Sequence, residues 1–491
     1  MLELRLGMSR FANLKALQTP AAPVKAIPSS KPVSPPVMVV TPSGSGVDQS
    51  WNADEANSFR RLGVFLLLAY AFVRFSFLSE IANHITGYRP FLVQALGLPA
   101  AVFMLISGGL RRSFRARPAF YMVGLMFWLL LAIPFSFWRG GSVQLLLPAF
   151  ETEFSMLFLV AGLLLTLREV NRFLSVLALA GTLVILASFY YGSEDFGRFG
   201  FSFGTLQNAN DYATHLLLVL PFLVLVALNS SSSFIRFSAA VLALLGTYLV
   251  LKTGSRGGLL ALVAMLGFFF LKTTMVRRAA IVATVVIMGL ILLFALPRTT
   301  MQRYLMLVDS SVEQEAASNL DLERAVGSSA ARKDLLSNSL TLTAQHPLFG
   351  VGPGMFAASD ADRAKAQGKQ GMWLLTHNSY TEVASESGVP GFLLFVGALV
   401  SAYLLVRSVY IRAKVNPRFV AIRNAAFCIM LAILGFSICI FFAAMSYRYY
   451  LPSLVGLAVA FTVSARHEMN RNSTGHGMRP RTLPWARGTV Q

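Results

Sequence analysis

Apolar residues in this chain fall in a series of blocks, each near the length that crosses a hydrocarbon core, roughly 20 residues. They run near Leu62–Leu78, Phe91–Leu110, Phe120–Phe137, Leu147–Leu167 and Phe173–Tyr191. Further blocks lie at Asn210–Leu228, Phe234–Leu251, Gly257–Leu271 and Ala279–Leu296. After a long polar gap come Gly391–Tyr410, Ala425–Met445 and Leu451–Ala465. The pattern predicts an all-α polytopic membrane protein with about twelve transmembrane helices and one large extracytoplasmic loop. Residues 1–59, rich in Pro and Ser and without a continuous apolar core, read as a disordered cytoplasmic tail. Residues 60–296 then hold nine spans, 297–390 the outer loop with a catalytic segment, 391–465 three more spans, and 466–491 a basic cytoplasmic tail.

Composition fits this division. Of 491 residues, 55% are hydrophobic and 13% charged, and the mean hydropathy is +0.61, whereas a soluble chain of this size needs more polar surface. The net charge of +20 could suggest nucleic acid, but the cations cluster in alternate connections, as cytoplasmic loops require. Arg111, Arg112, Arg115 and Arg117 follow the second block; Arg168 and Arg172 follow the fourth; Lys272, Arg277 and Arg278 follow the eighth. Arg412, Lys414, Arg418 and Arg423 follow the tenth. Membrane lipids, and no nucleic acid, are the expected surroundings. Cys428 and Cys439 share one apolar block, which gives neither a disulfide framework nor a metal site.

The cations on the predicted outer side break the rule: Arg198, Lys252, Arg256, Arg332 and Arg448, together with His377. Each arginine either snorkels to headgroups or is held by something anionic. Lys252-Thr253-Gly254-Ser255-Arg256-Gly257-Gly258 makes Ser255 an N-cap of the following helix. Free amides at the positive end of that helix, beside the Arg256 fork, read as an anion site; the alternative is a glycine-rich helix start that lets helices pack closely. Asn210 is the expected N-cap of the sixth span, and Asp211 and His215 lie one turn apart, as a structural pair would. His346-Pro347-Leu348-Phe349-Gly350-Val351-Gly352-Pro353-Gly354 predicts a tight turn. His377, followed by Asn378, Ser379, Tyr380, Thr381 and Glu382, stands where the loop returns to the membrane.

Four of these segments together resemble the O-antigen ligase and polymerase family of membrane glycosyltransferases: Gly204–Asp211, Ser255–Gly258, His346–Gly354 and His377–Gly391. Their order matches, as does the long outer loop before the last spans, and the likeness covers Leu62–Ala465. The resemblance implies transfer of a glycan from undecaprenyl diphosphate, as a ligase or as a surface or exopolysaccharide polymerase. The acceptor would be lipid A core, another glycan or a protein. It also implies a bacterial inner membrane location with the active site facing the periplasm or cell exterior, and neither metal nor cofactor. Carried onto this chain, it makes His377 and Arg256 catalytic, with Arg198, Asn210, Ser255, Arg332, Tyr380 and Arg448 binding substrate. A diphosphate leaving group needs its charge balanced, which fixed arginines do, and an acceptor hydroxyl needs a base, which a near-neutral imidazole supplies. Carboxylates for a divalent ion are sparse on the outer side, with Glu80 in the first connection and Glu151 and Glu153 near another helix end. The rival reading is a transporter of a small anion or lipid-linked sugar, with Arg74 as a pathway residue. The chain lacks the two related halves common in transporters.

Overall fold

A computed structural model of the chain describes residues 46–88, 90–195, 197–273, 298–305, 320–371 and 373–474, with scattered positions from 275 to 286. Nearly all of its regular structure is helical. Among the described residues seven helices are long and apolar enough to cross a membrane: Arg117–Phe135, Arg139–Leu163, Leu167–Tyr191, Ala209–Asn229, Ser233–Lys252, Ser379–Lys414 and Pro417–Cys439. An eighth results if Ser58–Phe75 and Leu78–Thr86, bent by 62°, form one broken span. The all-α membrane architecture therefore stands, but the expected twelve spans are not reached among the described residues. Two apolar blocks give short helices, Leu92–Ile106 with 15 residues and Arg256–Lys272 with 17, below the roughly 20 that a bilayer core asks for. The expected span at Ala279–Leu296 lies outside the described residues.

Local sequence explains the breaks. Phe77, at φ 55°, turns the first span aside, and the fourth passes through a π-helical stretch, Ala149–Phe154, directly after Pro148. Wider helical turns of this kind often mark functional positions. The N-terminal segment differs from the expected disordered tail in its last part: Gly46–Ala56 is helical. Trp51 is buried there and stacks on His467 at 4.0 Å, so the segment has an apolar side chain to anchor it.

One connection holds a two-stranded antiparallel hairpin, Gly192–Asp195 with Arg198–Phe201, in which Asp195 faces Arg198. Phenylalanines at positions 199, 201 and 203 alternate with small residues, the period of a half-buried strand, and Phe199 and Phe201 are buried. In the long loop, helices Leu320–Gln345 and Phe356–Ala366 share a small core of Leu335, Leu342, Val351, Met355 and Phe356. The returning helix starts at Ser379, well before the Gly391 expected from hydropathy, and breaks at Gly388.

That break and the His346–Gly354 turn lock together through backbone. The Val351 amide donates to the Ser385 carbonyl (2.8 Å), Gly352 to Glu386 (3.0 Å) and Val389 to Pro347 (2.8 Å). Gly388 sits at φ +71° with its α-carbon facing the Leu348 carbonyl, and Gly350 at φ +65° faces the Glu386 backbone, so a Cβ at either would collide. We expect Gly388→Ala to destabilise the protein by more than about 2 kcal/mol, the conformational cost of 1–2 kcal/mol plus the overlap. Gly368, at φ +72° in open space, isolates the conformational part. Equal losses of thermal stability in Gly388→Ala and Gly368→Ala would disprove the packing claim.

Helix polarity gathers one set of termini at one end of the bundle. The starts of Ala209–Asn229, Arg256–Lys272, Ser379–Lys414 and Tyr450–Thr474 meet the ends of Leu167–Tyr191, Ser233–Lys252 and Val420–Cys439 there. The arginine-rich connections lie at the opposite end.

Candidate functional site

Asn210 ties the first part of the site together. It is not the helix cap expected from sequence; Asn208 is, its side chain accepting the Asn210 amide at 2.9 Å. This leaves the Asn210 carboxamide available for tertiary bonds. Its Oδ1 accepts from Arg198 Nη2 (2.7 Å) and from Ser255 Oγ (2.8 Å). Ser255 in turn caps Arg256–Lys272, accepting the Gly258 amide at 3.1 Å. Arg198 Nε also reaches the Thr253 carbonyl at 3.4 Å. Asn210 and Ser255 are 5% and 2% exposed, so these bonds are shielded from competing water. The hairpin and two helix starts are thereby held in register, with Arg256 half-buried as the first residue after the cap.

The Ile440–Tyr449 segment joins this group to the end of the long loop. Gly257 lies flush against the Phe442 ring. Ser379 donates its amide to Ile440 (2.8 Å) and its hydroxyl to Ala443 (2.7 Å), and accepts the Met445 amide (2.8 Å). One short segment thus contacts both the Arg256 helix start and the residue two beyond His377, which puts Arg256 and His377 at the same end of the bundle. Asn378 caps the returning helix, accepting the amides of Tyr380 (2.9 Å) and Thr381 (3.3 Å).

His377 adopts a left-handed backbone, φ 51°, a conformation that costs a non-glycine residue about 1 kcal/mol or more and concentrates at functional positions. Burial first, then the guanidinium groups of Arg332 and Arg198, hold its imidazole below the ordinary histidine pKa. These cations are therefore its electrostatic neighbours, although Arg332 comes from Leu320–Gln345 and Arg198 from the hairpin. Arg448 lines two cavities of about 410 and 400 Å³, one against Arg74, Glu80 and Tyr449, the other against Glu382, Glu386 and Leu375. It lies within electrostatic reach of Asp211.

Two sequence expectations change. Tyr380 is not gathered into the group: its hydroxyl donates to the Ser437 carbonyl (2.9 Å) and its ring packs on Phe441 at 4.3 Å, so it serves helix packing. Asp211 and His215 do not pair. His215 Nδ1 meets the Tyr450 hydroxyl at 3.2 Å with its ring edge-on to Phe77, while Asp211 faces the charges of Arg448 and Arg198. Tertiary partners outcompete the local one-turn spacing.

Sequence reasoning missed the carboxylates. Glu386 accepts the amides of Gly354 (2.7 Å) and Phe356 (3.1 Å) and the Tyr447 hydroxyl (2.7 Å). Glu382 accepts the Ser446 hydroxyl at 2.6 Å. Both are buried, one turn apart at the start of an apolar helix, and an ionisable pair in that setting is itself a signal. The Tyr447 hydroxyl, facing Glu386, is held well above its ordinary pKa by burial and by both carboxylates. Arg74, the candidate pathway residue, is bound to Glu153 at 2.6 Å and stacks over Tyr449 at 4.3 Å. Glu80 accepts the Thr205 amide (2.8 Å) and hydroxyl (2.7 Å). Among the described residues no three His, Cys, Asp or Glu side chains converge as a metal ion would need.

Residues 240–396 match the family model described as O-Antigen ligase. The match takes in Ser255–Gly258, Arg332, the His346–Gly354 turn and His377–Gly391, and leaves Arg198, Asn210 and Arg448 outside it. No curated protein matches the chain. The matched segment carries three of the four motifs read from the sequence, and over it the chain is similar to the O-antigen ligase family.

Proposed function

We propose that this protein transfers a glycan from undecaprenyl diphosphate to an acceptor hydroxyl, without a metal and with inversion at the anomeric carbon. The observation carrying the proposal is the convergence of Arg198, Asn210, Ser255 and Arg256 with His377 at one end of the bundle. Arg256 and Arg198, with Arg332 and Arg448, bind the diphosphate and balance the charge that grows on it as the sugar–oxygen bond breaks. The acceptor oxygen forms its bond to the anomeric carbon from the opposite face, and its proton passes to His377. The departing electron pair stays on the diphosphate. Basic connections at the far end orient this site toward the periplasm or cell exterior.

The direct test is purified protein in lipid, given an undecaprenyl-diphosphate-linked glycan and an acceptor. We expect product whose anomeric configuration, read by NMR, is opposite to the donor's, formed at the same rate in EDTA. Retained configuration counts against direct displacement, and activity lost in EDTA and restored by one divalent metal counts against the metal-free scheme.

The histidine environment gives a pH prediction. The base acts when neutral, so turnover falls as pH drops through its pKa. That pKa lies below the ordinary value, and the acid limb of the wild-type profile should too. Arg198→Gln removes a positive neighbour, raises the imidazole pKa and moves the limb to higher pH. An unmoved limb in that variant would separate Arg198 from His377.

A further inference from the structure

We propose that the end of the bundle opposite His377 binds an anionic phospholipid, in a groove between the helices Ser58–Phe75 and Leu167–Tyr191. A cavity of about 1360 Å³ opens there. Its floor is a neutralised pair: Arg60, 1% exposed, bonds Glu169 at 2.8 Å and the Leu163 carbonyl at 2.8 Å. Its rim carries the carboxylates Glu55 and Glu468, the latter paired with Arg471 at 3.6 Å, but more cations than these. Arg168 and Arg172 stand one turn apart and exposed, with no carboxylate partner among the described residues, and Arg61 faces them from the other helix.

Both rim arginines lie near the N-terminus of Leu167–Tyr191, where the helix dipole is positive and cations are disfavoured. Glu169 is consumed by Arg60 and by the amides of Leu165 and Thr166. In the cavity lining Arg60, Arg61, Arg168, Arg172 and Arg471 outnumber Glu55, Glu169 and Glu468, so the groove keeps a positive excess that attracts an anion. A bare phosphate, however, would leave the rest of the groove unfilled. Val64 and Leu68, one turn apart, and Val176 line the same cavity, an apolar wall leading from the arginines toward the middle of the bundle. A headgroup phosphate at Arg168 and Arg172, with one acyl chain along that wall, satisfies both halves.

The test titrates detergent-purified protein with phosphatidylglycerol, phosphatidylcholine or glycerophosphoglycerol, the headgroup without chains, and reads occupancy by native mass spectrometry. We expect wild type to prefer phosphatidylglycerol. The double variant Arg168→Gln/Arg172→Gln should bind it about thirtyfold more weakly, a factor of about five for each cation. Arg168→Lys/Arg172→Lys should keep most of the affinity. Lys414→Gln/Arg418→Gln, which removes equal charge from another connection at the same end, should stay within about twofold of wild type. The proposal fails if both glutamine doubles lose affinity equally, if phosphatidylcholine binds as well, or if the headgroup alone matches the lipid.

Discussion

Replacing His377 by alanine should lower turnover of the lipid-linked donor by about two to four orders of magnitude, the usual contribution of a positioned general base. Three features lead to this expectation. The residue holds a left-handed backbone conformation next to a helix cap. Its imidazole is kept neutral by burial and by Arg332 and Arg198. It also stands at the same bundle end as Ser255 and Arg256, through the Ile440–Tyr449 segment. Arg256→Ala should cost about 10²–10³ in turnover, as loss of one preorganised charge-stabilising donor does. The two variants should differ in kind. Loss of the base leaves donor binding intact and abolishes the acid limb of the pH profile, whereas loss of the arginine keeps the limb and weakens charge stabilisation. If both variants turn over donor at the wild-type rate while remaining folded, the roles assigned to these residues are wrong.

The second large effect concerns stability. Glu386→Ala removes the acceptor of two backbone amides and one tyrosine hydroxyl in a buried setting. Each donor left without a partner costs about 1–3 kcal/mol, so the variant should lose at least about 3 kcal/mol. The loss has a specific location. Gly354 and Phe356 lead into the small core of the long loop, and Tyr447 belongs to the segment that fastens Ser379. We therefore expect the loop to become the first protease cleavage site in Glu386→Ala. Glu386→Gln keeps one acceptor oxygen but turns an amide toward a donor, and should fall between wild type and alanine. A loss below about 1 kcal/mol in the alanine variant would mean that water replaces all three bonds.

What could be read from the sequence was whatever is local and repeated. A run of apolar residues near bilayer length and arginines in alternate connections are additive signals, each decided within its own segment. They announced a helical membrane protein. The Ser255 cap was equally local, since a serine before a glycine-rich start caps by its own geometry. Where local rules leave a near tie, they failed: Asn208 and Asn210 both suit a cap, and the tertiary demand of Arg198 and Ser255 for an acceptor decided between them. Tyr380 was expected from the resemblance to bind substrate, yet its position on the helix turned it toward Ser437.

The site itself could not be legible in sequence. Arg198, Asn210, Ser255, Arg332 and His377 come from a hairpin, three helix starts and a loop helix, and no periodic pattern links them. Their meeting depends on which helices are neighbours and where each one stops. Those choices come from packing between distant segments, such as Gly257 on Phe442 and Gly388 beneath Leu348. Burial in membrane and charge bias selected the architecture; close contact between remote backbones built the constellation.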